Sequence, residues 1–135
     1  MQTKPYLTLA DVKKIAAGAE AEALANNWNV VISIVDDGGH LLWLQRHDGA
    51  APISAHISPA KARTAALGRR ESKIYEDLIN NGRFSFLSAP ELEGMLEGGV
   101  PVIVDGHVVG GVGVSGVKSA EDAQVAKAGI AALGL

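Results

Sequence analysis

Four histidines, at positions 40, 47, 56 and 107, are the side chains of this 135-residue chain best suited to acid–base chemistry or metal binding near neutral pH. None lies three or four residues from another, so no helical turn presents two of them to one metal ion. His40 and His107 follow Asp-Gly turn sequences, where a solvated polar residue is ordinary. His56 differs because it lies in an expected loop, residues 53–58, ahead of a helix, and such loops often line sites. His56 is therefore the candidate catalytic residue and a candidate metal ligand.

A second unusual feature is the apolar stretch 107–115, in which glycines replace side chains at Gly110, Gly111 and Gly113. A strand without side chains loses packing, so such glycines usually indicate that another body approaches the backbone closely. A helix, a partner subunit or a flat ligand could be that body. The sequence leaves these three alternatives open.

The composition excludes several classes of protein. The chain has no cysteine, which removes disulfides, thiolate metal sites and cysteine nucleophiles. Its 12 basic and 15 acidic residues are interspersed, so no basic stripe indicates a nucleic-acid partner. No apolar run approaches the roughly 20 residues that a membrane span needs. The first residues lack the apolar segment of a secretory signal, and we therefore expect no membrane association and a cytoplasmic location.

Capping and turn signals predict the elements that must position these residues. The predicted helix starts are Thr8 with Asp11 (a helix over about 9–26), Ser58 with Pro59, Ser88 with Glu91, and Ser119 with Asp122. Strands are predicted at 29–36, 40–46, 100–104 and 107–115, joined in pairs by Asp-Gly turns. The first strand is apolar on both faces, so both faces of the sheet must be covered. We expect a single α+β domain over residues 1–135, with antiparallel hairpins and no parallel doubly wound sheet.

Several motifs, in order along the chain, resemble the GlcG/HbpS-like family. They are VDDGGHLL at 35–42, RHDGA at 46–50, KARTA at 61–65, GGVPV at 98–102 and GGVGVSG at 110–116, followed by Glu121 and Asp122. The similarity spans residues 8–134, approximately. It implies a profilin-like, three-layer α/β/α fold, in which a central antiparallel sheet of about five strands lies between helices. It also implies assembly as a homo-oligomer.

The resemblance further implies a ligand, because some members of that family bind haem. Thr64, in the KARTA segment, matches a threonine implicated at the haem site of extracellular members. Lys61, Arg63 and Arg69 could meet the propionates. Haem iron more usually takes His, Cys, Met or Tyr, and His56 lies nearby in sequence, so either His56 or Thr64 is the expected iron ligand. Thr64 could instead bond back to its own helix. Two Trp, two Tyr and two Phe leave few rings to stack on a porphyrin.

Three functions stay open at this point. The first is a small homo-oligomeric protein that binds haem or a related tetrapyrrole at a subunit interface, through His56, Lys61, Arg63 and Thr64. The second is an enzyme acting on a small carboxylic acid, with His56 as general acid or base and Arg63 holding the carboxylate. The third is a structural or regulatory subunit that only assembles, a role suited to bare glycine strands and alanine-rich helices.

Overall fold

Two antiparallel hairpins and four α-helices make up the computed structural model, which describes all residues from Met1 to Leu135. In chain order the elements are α1 (Leu9–Ala25), β1 (Val31–Asp36), β2 (Leu41–Arg46), α2 (Ser54–Gly68), α3 (Ser72–Asn80), a 3-10 turn (Phe84–Ser88), β3 (Gly99–Val104), β4 (His107–Ser115) and α4 (Ser119–Ala131). The capping box predicted for α1 is present, with Thr8 and Asp11 bonding reciprocally. None of the helices combines the length and the apolar character needed to cross a bilayer.

The sheet has four strands in the order β2-β1-β4-β3, and every neighbouring pair is antiparallel. The expectation of about five strands is therefore wrong. The two hairpins supply all four strands, and the long connection from α3 to β3 holds only the 3-10 turn and irregular backbone. With no fifth strand beside it, β2 stays at one edge of the sheet and β3 at the other.

Helices cover both faces of the sheet, as the two-sided apolar pattern of β1 predicts. Ile32 and Ile34 lie in the larger core with α1 and α4, whereas Val35 lies in a second cluster with Ala62 and Ala66 of α2. Alternate residues of a strand point to opposite faces, so these two clusters lie on opposite sides of the sheet. The arrangement is thus three layers, with α1 and α4 on one side and α2 on the other.

Two of the three β4 glycines, Gly111 and Gly113, are where α2 meets the sheet, whereas a Cβ atom on Gly110 would meet Leu7 and the Val35 carbonyl oxygen. A Cβ atom on Gly113 would lie 2.1 Å from the Ser58 carbonyl oxygen, and one on Gly111 would lie 2.4 Å from the Ala62 carbonyl oxygen. Only a residue without a side chain lets the helix backbone come this close. Helix α2 is therefore the body that approaches the strand at Gly111 and Gly113, and it leaves no room there for a ligand or a partner subunit.

Two of the predicted helix starts are wrong. Helix α2 begins at Ser54, so Pro59 and the proposed capping residue Ser58 are inside it. The Ser58 hydroxyl donates to the Gly113 carbonyl and is also hydrogen-bonded to Ser33. It therefore links α2 to the sheet and does not cap the helix. Ser88 ends a 3-10 turn and does not begin a helix. Helix α3 (Ser72–Asn80) was not anticipated as a separate element, because its short amphipathic stretch follows α2 with almost no loop.

Candidate functional site

His56 lies on the outward side of α2, within the helix and not in a loop ahead of it. Its side chain is exposed, and the histidine hydrogen bonds and ion pairs of this protein are made by His40 and His47. The imidazole is therefore available to a ligand, because no group of the chain competes for either ring nitrogen. Its position follows from the early start of α2, which carries residues 54–58 into the helix.

Arg63 lies two helical turns after His56 on the same side of α2, about 10 Å further along the axis. Its guanidinium is paired with the carboxylate of Glu91, and the arginine stem lies against Gly39 in the β1–β2 turn. A cleft of about 190 Å³ opens here, lined by Ala60, Arg63, Glu91 and Glu93. The guanidinium thus has a carboxylate partner already, and Glu91 would have to leave before another anion could take its place.

Thr64 is fully buried, and its hydroxyl oxygen has no hydrogen-bond partner. The bond back to its own helix that the sequence left open is therefore not made. A buried hydroxyl without a partner is uncommon and costs about 1–3 kcal/mol. Thr64 does not share the exposed side of α2 with His56, and its oxygen is the one side-chain polar atom of this helix that is both buried and without a partner.

Lys61 is also inside the protein, with 2% of its surface exposed. Its ammonium donates to the Val114 carbonyl at 2.9 Å and to the Asp122 carboxylate at 3.1 Å. The lysine side chain passes Gly98, where a Cβ atom would lie 2.7 Å from the lysine nitrogen. The Lys61 ammonium therefore links α2 to the start of α4 at the end of the sheet.

Burial raises the pKa of Asp122 above its ordinary value, although the Lys61 ammonium and the backbone amide of Val117 act in the opposite direction. The desolvation of the carboxylate is the largest of these effects. The sequence does not predict this ion pair, because the spacing of Ser119 and Asp122 indicates a helix cap instead. Its sequence signal is weak, because a lysine and an aspartate 61 residues apart carry no local pattern.

Exposed apolar side chains occur on the edge strand β2, on α2 and at the residue before α2, all on the α2 side of the sheet. Leu41 stands opposite Val35 and Leu44 stands opposite Ser33, and these two β1 residues contact α2. Residues directly opposite each other share a face of the sheet, so both leucines point to the α2 side. We name the α2–β2 surface from four exposed side chains: Leu41 (56%), Leu44 (41%), Ile53 (59%) and Leu67 (36%).

The structure thus separates the predicted site residues into two groups. His56 and Arg63 lie on the outward side of α2, and Lys61 and Thr64 lie beneath it. Arg69 ends the helix, about 20 Å from His56 at the rise of an α-helix. No group of three His, Cys, Asp or Glu side chains is arranged to hold a metal ion. A haem iron needs no such cluster, because the porphyrin supplies its equatorial ligands and the protein adds axial ones.

Comparison with known proteins gives consistent results over almost the whole chain. The family model described as "Haem degrading protein HbpS-like" matches residues 7–131. Protein GlcG of Escherichia coli is 58% identical over 115 residues, which cover 85% of both chains.

Two solved structures share the fold at lower identity. A double mutant of Streptomyces reticuli HbpS superposes with a TM-score of 0.86 at 31% identity, covering 97% of this chain and 89% of that one. A crystal structure of a PduOC:heme complex superposes with a TM-score of 0.85 at 28% identity, covering 95% of each chain.

Proposed function

Because this chain belongs to the HbpS-like family, we propose that it binds haem or a related tetrapyrrole on the outward side of α2, where a second copy of the chain completes the site. The observation that carries the proposal is His56, an exposed imidazole without a protein partner, in the same layer as the exposed side chains of the α2–β2 surface. The haem complex of a relative with the same fold adds support from outside the chain.

The residues on the outward side suit a haem group. Imidazole is a common axial ligand of haem iron, and the exposed leucines and isoleucine of the α2–β2 surface offer apolar contact to the porphyrin. Arg63 would receive a propionate in exchange for Glu91. Haem, when bound, would supply the redox and ligand-binding chemistry of its iron.

His56 suits the iron better than Thr64 does. The Thr64 hydroxyl is fully buried, and a ligand could reach it only if α2 moved. His56 needs no such rearrangement. Lys61 would support the site indirectly, because its ammonium holds α2 in place through Asp122 and Val114.

The position of the clefts favours a site between two copies. The five clefts of the single chain range from about 190 to 380 Å³, and none of them is lined by His56. Pockets that enclose drug-sized ligands usually run from about 300 to 1,000 Å³ and cover most of the ligand surface. A haem on one α2–β2 surface would stay largely in water unless a second copy covered it.

Titration of the purified apoprotein with hemin tests the haem proposal. We expect a shifted Soret band in the wild type and in His107→Ala, a matched control at a histidine outside α2. We expect the band to be lost or its affinity to fall in His56→Ala and to persist in Thr64→Val. If Thr64→Val lost the Soret shift and His56→Ala kept it, Thr64 would be the iron ligand instead of His56. Absence of any Soret shift in the wild type would overturn the proposal.

Light scattering with and without hemin tests the shared site. Leu44→Glu and Ile53→Glu place charges on the α2–β2 surface, and we expect both to give monomers and to weaken hemin binding. Leu24→Glu is the control, since Leu24 is 61% exposed on α1, in the opposite layer. If the wild type stayed a monomer with hemin bound, the second copy would be removed from the proposal.

An enzyme acting on a small carboxylic acid is a second candidate, and the Arg63–Glu91 pair is the observation that favours it. Glu91 occupies the place that a substrate carboxylate would take on the guanidinium, with His56 on the same side of the helix. A thermal-shift screen of carboxylic acids on Glu91→Gln, which frees Arg63, should find a stabilising acid that has no effect on Arg63→Gln. If no acid stabilises Glu91→Gln, this candidate is lost.

A further inference from the structure

A second cleft lies at the opposite end of α2 from His56 and has a basic lining. It measures about 260 Å³ and is lined by Lys4, Arg69, Ile103, Gly106, His107 and Val108. These residues come from the segment before α1, the end of α2 and the β3–β4 hairpin. Three of the six carry basic side chains, and no carboxylate is among them.

Arg69 is the residue that makes this cleft unusual. It caps the C-terminus of α2 with φ +56° and ψ +34°, a left-handed conformation in which helices commonly place glycine. A residue with a Cβ atom costs roughly 1–2 kcal/mol there. The Arg69 side chain makes no ion pair, although six ion pairs form elsewhere in the chain. Arg69 thus lines the cleft from a strained position and has no ion-pair partner, which leaves its guanidinium available to a ligand.

The charges around the cleft limit what the ligand can be. Lys4 is already paired with Asp37, so its charge is largely offset. His107 makes no ion pair, and Asp105, in the turn before it, lies outside the lining. One free guanidinium with one imidazole suits a singly charged anion better than a highly charged one. Ile103, which is 52% exposed, and Val108 give the cleft an apolar wall.

We propose that this cleft binds a small organic carboxylate. The Arg69 guanidinium donates two parallel hydrogen bonds to the carboxylate, and the His107 ring adds a third. The short apolar part of the ligand lies against Ile103 and Val108. The site does not depend on the haem proposal, because it uses none of the residues on the outward side of α2 near His56.

Titration with sodium butyrate, followed by amide NMR of the full chain, tests the proposal. We expect saturable shifts at Arg69, Gly106, His107 and Val108, beyond those that sodium chloride of equal ionic strength produces. Arg69→Gly should lower the butyrate affinity by roughly tenfold or more, because a charge-assisted contact is lost. The same variant should fold at least as stably as the wild type, since glycine suits the left-handed cap.

The control variant is Arg83→Ala, which removes an exposed arginine outside the cleft and should leave butyrate binding unchanged. Inorganic phosphate should bind more weakly than butyrate, because it gains nothing from the apolar wall. Butyrate shifts no larger than those of chloride, or equal affinity in Arg69→Gly, would overturn the proposal. Tighter binding of phosphate than of butyrate would also overturn it, by showing a general anion site.

Discussion

The side of α2 that faces the sheet and the side that faces outward belong to one helix but differ in what they contact. Facing the sheet, Ser58 and Lys61 bond to the backbone of β4, and Ala62 packs on its glycines. Facing outward, His56 has no partner and the α2–β2 surface is uncovered. Because one side of α2 packs so closely on the sheet that added atoms cannot fit, its other side is held rigidly, as a binding site requires.

The largest effect is expected where the helix backbone touches the bare strand. In Gly113→Val the new Cβ atom would lie within 2.1 Å of the Ser58 oxygen and 2.4 Å of the Ala62 nitrogen, and backbone atoms cannot rotate aside. We expect the protein to lose about 3 kcal/mol or more of unfolding free energy, or not to fold, measured by urea denaturation.

The matched control for that substitution is Gly106→Asn. Gly106 has φ +77° and open space around its Cβ position, and asparagine tolerates that conformation at a cost of roughly 1 kcal/mol or less. If Gly113→Val and Gly106→Asn had equal urea midpoints, the close contact of α2 with β4 would be wrong.

The next largest effect is expected at the buried ion pair. Lys61→Met leaves the Asp122 carboxylate buried without its cation, and Asp122→Leu leaves the ammonium alone, so each should cost about 3–5 kcal/mol. The double variant removes both charges and should recover most of that loss. A double-mutant cycle from urea denaturation measures the coupling, and purely additive losses would contradict a direct interaction.

The pH dependence of stability should isolate Asp122. Its folded-state pKa is raised by burial, so the native protein binds a proton there more readily than the unfolded chain does. The resulting stability is fully present below the unfolded pKa, near 3.8, and is lost as pH rises through the folded pKa.

Asp11 and Asp37 act in the opposite direction, because hydrogen bonds to Thr8 and Lys4 lower their pKa values. The comparison must therefore be made against Asp122→Asn, which keeps both of them. The stability of the wild type relative to Asp122→Asn should increase as pH falls from neutral toward 4 (about the unfolded pKa of aspartate). A constant difference between the two urea midpoints would contradict the raised pKa.

A smaller effect, of opposite sign, is expected at Thr64. Thr64→Val replaces an unpartnered buried hydroxyl with a methyl group of similar size, and should be neutral or stabilising by roughly 1 kcal/mol. Thr64→Ser keeps the hydroxyl and serves as the control, which should lose stability through the missing methyl group. Strong destabilisation by Thr64→Val would indicate a hydrogen bond to that hydroxyl.

The smallest effect on stability is expected at His56. Because its side chain is exposed and unbonded, His56→Ala should change the unfolding free energy by no more than about 0.5 kcal/mol. Thermal and urea midpoints equal to those of the wild type would show that any loss of hemin binding in this variant is local. A large loss of stability in His56→Ala would show that the His56 side chain is not exposed on the outward side of α2.

Local chemistry made much of the fold predictable. Asp-Gly turns between apolar segments predict the two hairpins, and the Thr8–Asp11 capping box predicts the start of α1, since each signal acts within a few residues. The start of α2 was missed because Ser58 and Pro59 make a good local signal for a helix start. The Ser58 hydroxyl bonds across 55 residues to Gly113, and this contact has no local trace.

The candidate site was predictable only as a set of residues. The sequence groups His56, Lys61, Arg63 and Thr64 because they are close along the chain and because the family resemblance implies a haem site at the KARTA segment. It could not assign them to sides of α2, because that depends on which side the sheet covers. A lysine and a threonine are usually exposed, and here both are buried, while Arg69 lies at a separate cleft.

By itself, the amino-acid sequence determined the two hairpins, the apolar faces of β1 and the bare stretch of β4, since these depend on residue types and short-range geometry. The tertiary structure alone decided that a helix covers those glycines, that Lys61 faces Asp122, and that His56 stays open to solvent. Those three outcomes depend on contacts between residues far apart in the chain, and such contacts form only when the layers pack.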